Sequence, residues 1–124
     1  SDVTIAATGF MVHVAVEAAE KLAAEGINAR VLNIHTVKPI DEEIIVKAAK
    51  ETGAIVTAEE HNVIGGFGSA VCDVVAEKCP VPVLKVGVMD KFGKSGKVPA
   101  LLEEYGLTSD AIVAKAKAAI ALKK

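Results

Sequence analysis

VTIAATGFMVHVAVEAAEKLAAEGINARVLNI, residues 3–34, is the stretch whose reading decides the fold. It opens with VTIAAT (3–8), a nearly all-apolar run of the kind found in strands covered on both sheet faces. Gly9 marks a turn. A helix is then predicted from Met11 to Glu25, with Val12, Ala15, Val16, Ala19, Leu22 and Ala23 as its apolar face. His13, Glu17, Glu20, Lys21 and Ala24 take the opposite, solvated side. Gly26 stands where a left-handed residue ends a helix, and ARVLNI (29–34) is a second strand.

The same alternation continues outward to the end of the chain. In HTVKPID (35–41), Pro39 blocks helix and sheet, Asp41 can cap the next helix, and Ile40 with Ile45 has the spacing of a hydrophobic staple. That helix, Glu42 to Thr52, buries Ile45, Ala48 and Ala49 and stops at Gly53. AIVTA (54–58) is the third strand, and a helix from Ser69 to Lys78 turns Val71, Val74 and Val75 inward. Pro80 and Pro82 break the chain before a fourth strand, VLKVGV (83–88). The loop MDKFGKSGK, a short helix in PALLEEYG and a last helix capped by Thr108 and running to Leu122 complete the chain. Strand and helix alternating four times imply crossover connections and a parallel sheet between helices. The expected fold is a three-layer α/β/α domain with a mostly parallel sheet of four to five strands, one domain over residues 1–124.

Composition narrows the function classes. A net charge of −2 gives no electrostatic footprint for nucleic acid or an anionic membrane, and 3% aromatic residues with no Trp leave no stacking platform for bases. No apolar run approaches the ~18–20 residues of a membrane span, and SDVTIAATGF has no export-signal pattern. At 52% hydrophobic residues, apolar surface is expected to meet another domain or subunit. Cys72 and Cys79 are seven apart on one predicted helix, so their Cα atoms lie roughly 10 Å apart, beyond disulfide reach. They read as reduced, buried thiols of a cytoplasmic protein.

The richest chemistry lies in TAEEHNVIGGFGSAV, residues 57–71. Glu59, Glu60 and His61 leave the carboxyl end of a parallel strand, where ligands of such folds bind. Crowded carboxylates beside an imidazole can shift one another's pKa and move protons, and the N–H groups of the following helix can receive an anion. The same charges can instead cap that helix or face another subunit. With no nucleophile nearby in sequence and no second acid–base motif, the contact reading is preferred. GFGSAV falls short of a dinucleotide fingerprint, because Val71 stands at the third glycine and the loop follows the third strand. GKS at 93–95 has one residue too many after Gly87 for a phosphate-binding loop. His13, His35 and His61 fall on different elements, without metal-ligand spacing.

Four stretches together resemble the C-terminal domain of transketolase and its relatives: TGFMVHVAVEAAEKLAAEGINARVLNIHTVKPID, TAEEHNVIGGFGSAV, VMDKFGKSG and LLEEYGLTSDAI. They cover nearly the whole chain in order, and their combination is specific where each alone is weak. Similar domains occur in 1-deoxyxylulose-5-phosphate synthase and in the β subunits of 2-oxo acid dehydrogenases. The resemblance implies a third domain that follows two others holding thiamine diphosphate and Mg²⁺. The metal motif and the glutamate of those domains are absent from this sequence.

No catalytic, cofactor-binding or metal residue is therefore carried over, and the isolated domain is expected not to turn over substrate. Glu59, Glu60, His61, Gly65, Gly66, Gly68 and Ser69 are expected to form an interdomain or interface loop. The implied partners are the cofactor-binding domains, within one polypeptide or as the other half of a split enzyme, in a homodimer of the complete enzyme. That enzyme moves a two-carbon ketol unit between sugar phosphates, as in the pentose phosphate pathway. Two rivals stay open: a free-standing phosphate-ligand module using the 59–69 loop with Lys91, Lys94 and Lys97, and a docking domain of a 2-oxo acid dehydrogenase β subunit. Sheets of this family also hold an antiparallel edge strand, which the sequence alone does not place.

Overall fold

The structure is a computed structural model that describes residues 2–8, 11–34, 42–62, 67–88 and 109–123. In chain order it contains β1 (Val3–Ala7), α1 (Met11–Ala24), β2 (Ala29–Asn33), α2 (Glu42–Thr52), β3 (Ile55–Asn62), α3 (Phe67–Lys78), β4 (Val83–Val88) and α4 (Ser109–Ala121). The strands form one sheet in the order β2-β1-β3-β4, every pairing parallel. The antiparallel edge strand is not among the described residues. The expected short helix at 99–106 and the loop before it lie outside them, as do Pro39, Ile40 and Thr108.

Alternation along the strands sorts side chains into two layers. Val3, Ile5 and Ala7 of β1, Val56 and Ala58 of β3 and Val86 of β4 face one side. There they meet Met11, Val14, Ala15, Ala18 and Leu22 of α1 and Ile112, Ala116 and Ala119 of α4. Ala6 and Ile55 face the other side with Ile34 just after β2, Ile45 and Ala49 of α2, and Val71, Val74 and Val75 of α3. The inward faces expected for α2 and α3 are those observed. On α1 the buried stripe is rotated from the expected one: Met11, Val14 and Ala18 are buried, whereas Val16 is 44% exposed. The helix must serve both β1 and α4, and Ala-rich windows fit several faces almost equally well. His13 is exposed, as expected of the solvated side.

Local chemistry closes the elements at the amino end of the sheet. Gly26 and Gly53 have φ of 79° and 75°, the left-handed conformation that ends a helix without a Cβ penalty. The Gly26 N–H donates to the Ala23 carbonyl at 3.0 Å and the Gly53 N–H to that of Ala49 at 2.9 Å. Thr4 and Thr52, both fully or nearly buried, join hydroxyls at 2.9 Å, and the Thr52 hydroxyl has the Ala48 carbonyl at 2.9 Å. Each buried oxygen thus has a partner. α1 and α4 are clasped where Lys21 reaches both the Ser109 hydroxyl and the Asp110 carboxylate at 2.8 Å. That clasp and the Arg30–Glu51 pair lie at the surface, where water and salt screen them.

Candidate functional site

The strand order reverses between β1 and β3: β1 leads through α1 to β2 on one side, while β3 and β4 lie on the other. Such a reversal opens a crevice at the carboxyl ends of the strands. The Thr8 N–H still donates to the Ala58 carbonyl at 3.2 Å there. Glu59, Glu60 and His61 belong to β3 itself rather than to a loop beyond it, because the strand continues to Asn62. A register shift between Ala58 and Asn62 lets Asn62 pair with Val88. The expected strand ended at Ala58 because charged residues rarely extend an apolar run. The shift lets the strand continue through them to Asn62. Gly65 and Gly66 lie outside the described residues, as do His35, Lys91, Lys94 and Lys97.

Gly68 and Ser69 are in the first turn of α3, which begins at Phe67, earlier than expected. Gly68 is there for steric reasons. A Cβ on it would lie 2.8 Å from Thr57 Oγ1 and 3.1 and 3.2 Å from Cγ and Cδ of Lys85. Thr57 and Lys85 are themselves register partners on β3 and β4. The Lys85 stem therefore lies over the helix start, and its Nζ donates to Ser69 Oγ at 3.2 Å. Thr57 is fully buried, and its hydroxyl has no hydrogen-bond partner among the described residues.

Cys72 lies one turn further along α3. Burial pushes its thiol above the ordinary range, while the charge of Lys85 pulls the other way and that of Asp73 adds to the rise. A thiol so placed is a poor nucleophile at neutral pH. Cys72 and Cys79 are both free and part-buried, less buried than their expected place in the core.

The structure thus joins Gly68 and Ser69 of the expected loop to Thr57 and Lys85, which the sequence reading passed over. A signal existed for Lys85: it is the one charge in VLKVGV, a run otherwise apolar enough to be covered on both faces. Among the described residues, no group of three or more His, Cys, Asp or Glu could hold a metal ion, and no helix is long and apolar enough to cross a membrane. That donor set does not fit a divalent ion with a diphosphate, so no chemical step is assigned to these residues.

Comparison with known proteins places the chain. Residues 1–112 match the family model for the transketolase C-terminal domain. The chain belongs to the transketolase C-terminal domain family. It is 56% identical over 112 residues to the 6-deoxy-6-sulfo-D-fructose transketolase subunit SqwH of Clostridium sp. (strain MSTE9), covering 90% of this chain and 35% of that one. To 1-deoxy-D-xylulose-5-phosphate synthase of Heliobacterium modesticaldum it is 48% identical over 118 residues, 94% of this chain and 18% of the synthase. Among solved structures, a split-gene transketolase described as an inactive beta4 tetramer superposes with a TM-score of 0.96 at 56% identity, over 99% of this chain and 40% of that chain. The transketolase of Pichia stipitis shares the fold alone, with a TM-score of 0.70 at 24% identity, over 98% of this chain and 16% of its own. This transketolase C-terminal domain therefore spans about a third or less of the curated relatives it is compared with here. The family membership and the α/β architecture expected from the four sequence stretches both hold.

Proposed function

We propose that this chain is the structural and assembly part of a transketolase whose remaining domains hold thiamine diphosphate and Mg²⁺. The complete enzyme moves a two-carbon ketol unit from a ketose phosphate to an aldose phosphate, as a homodimer in the cytoplasm. The observation that carries this reading is the 56% identity to a transketolase subunit, joined to a fold with a TM-score of 0.96 to a split-gene transketolase. No catalytic, cofactor-binding or metal residue is assigned to this domain. The run Glu59, Glu60, His61, Gly65, Gly66, Gly68 and Ser69, at the carboxyl end of β3 and the start of α3, is proposed as its contact with the cofactor-binding part.

The test is reconstitution. The chain alone, with thiamine diphosphate, Mg²⁺ and a ketose phosphate–aldose phosphate pair, is expected to give no ketol transfer. Combined with the cofactor-binding part of a transketolase, it is expected to raise activity above that of the part alone. Turnover by the chain alone, or no gain on combination, would overturn the proposal.

A further inference from the structure

At the end of the sheet opposite the proposed contact lies a cavity of ≈ 640 Å³, within the roughly 300–1,000 Å³ of sites that enclose a ligand. Thr52 and Gly53 line it where α2 ends, Val81 and Pro82 ahead of β4, and Leu122 and Lys123 where α4 ends. Leu122 is 57% exposed, the most exposed large hydrophobic side chain among the described residues, and it stands on this cavity. Lys50 lines it as well. Neither Lys50 nor Lys123 forms an ion pair among the described residues, whereas Glu51 beside them is taken by Arg30. Apolar surface with positive charge at hand is complementary to an apolar segment that bears a carboxylate.

β1 enters the sheet at the same end. The Asp2 N–H donates to the Asn28 carbonyl at 2.7 Å and the Thr4 N–H to that of Ala54 at 2.9 Å. The Thr4 hydroxyl meets that of Thr52, a residue of the cavity wall, at 2.9 Å. A polypeptide joined ahead of Ser1 therefore starts its course beside the cavity. The proposed contact with the cofactor-binding part lies at the other end of the strands. β1 alone, five residues long, spans roughly 17 Å, so such a segment has to run along the surface of the domain. The chain covers 35% of the SqwH subunit, and it matches a C-terminal domain, so most of that relative's polypeptide lies outside the matched region.

We propose that this cavity seats the connector, the segment joined ahead of Ser1 in the complete polypeptide. An apolar side chain of the connector packs against Val81, Pro82 and Leu122, and a carboxylate of it meets Lys50 or Lys123. The proposal rests on the reading of this chain as the closing part of a longer transketolase polypeptide. Seated there, the connector leaves the domain at a fixed point, which limits how far the domain can swing against the cofactor-binding part.

The test is photo-crosslinking in the complete polypeptide carrying Leu122→p-benzoylphenylalanine, with the adduct mapped by mass spectrometry. Leu122 is exposed and follows the last residue of α4, so the change spares the core. The adduct is expected within about ten residues ahead of Ser1, the stretch that can reach the cavity from β1. An adduct to the body of the cofactor-binding part or to a second copy of the chain would overturn the proposal, as would no adduct or a reading frame that starts at Ser1. Hydrogen exchange gives a second measurement. The amides of Gly53 and Val81 are expected to exchange about tenfold more slowly in the complete polypeptide than in the 124-residue chain. Leu122→Asp in the complete polypeptide is expected to restore the faster exchange, and unchanged exchange in α1 certifies that the variant is folded. Equal rates in the two polypeptides would overturn the seat. Reconstitution from separate parts contains no connector, so its failure is distinct from a failure here.

Discussion

The two faces of the sheet are built from the same strands but to different standards of closure. The face under α1 and α4 is lined by an apolar cluster that runs from Val3 and Ile5 to Ile112 and Ala119. The face under α2 and α3 mixes Ala6, Ile55 and Val71 with threonine hydroxyls and a lysine stem. At the amino end of that face Thr4 and Thr52 satisfy each other. Two residues further along the sheet Thr57 is left without a partner among the described residues. Both faces bury apolar side chains, and the second also holds the polar irregularity of the sheet.

The sharpest break of this comparison is a cavity on the apolar face. Ile112→Ala, at a fully buried position, is expected to cost about 2–5 kcal/mol in chemical denaturation. A smaller loss than that of Val74→Ala on the opposite face would contradict the ranking. Next comes Gly68→Ala. The clash with Thr57 and Lys85 costs about 1–3 kcal/mol, and roughly 1 kcal/mol of helix propensity offsets part of it. Adding Thr57→Ala is expected to recover most of the loss, and a double-mutant cycle measures the coupling.

The two threonine sites of the polar face are then separated by a pair of isosteric changes. Thr4→Val breaks a satisfied pair and is expected to destabilise by about 1 kcal/mol. Thr57→Val removes a hydroxyl with no described partner and is expected to leave the unfolding midpoint unchanged or higher. The smallest effect is electrostatic. Because burial raises the Cys72 pKa, its alkylation rate should climb only above the ordinary thiol range, and Lys85→Met, by removing the charge that opposes the rise, should move that climb further up. A raised acid pKa means that the folded state holds the proton longer than the unfolded chain. The associated stability is full below the unfolded thiol's pKa and is lost as pH rises through the folded one.

Much of this fold was legible in the sequence because its signals are local. Gly26 and Gly53 mark helix ends that the backbone then confirms with positive φ. Ile45, Ala48 and Ala49 show a single inward stripe, and all three are buried. What escaped depends on partners distant in sequence. The choice of stripe on α1 was decided by α4, and nothing within Met11–Ala24 encodes that neighbour. β3 runs past Ala58 because Val88 pairs with Asn62 across a register shift. The site was partly readable: Thr57, Gly68 and Ser69 stood in the quoted stretch, whereas Lys85 joined them only through the pairing of β3 with β4.

The strand order also sets a timetable for folding. β1 pairs with β2 across a single intervening helix, so that strand–helix–strand unit can close before β3 is made. Its other edge, from Thr4 to Ala7, must wait for Ile55–Ala58, with α1, β2 and α2 looped out between them. Loop closure of that length is entropically slower than local pairing. During synthesis, then, the central strand carries one bare edge until the third strand arrives. That edge belongs to β1, five residues that are all buried once the sheet is complete.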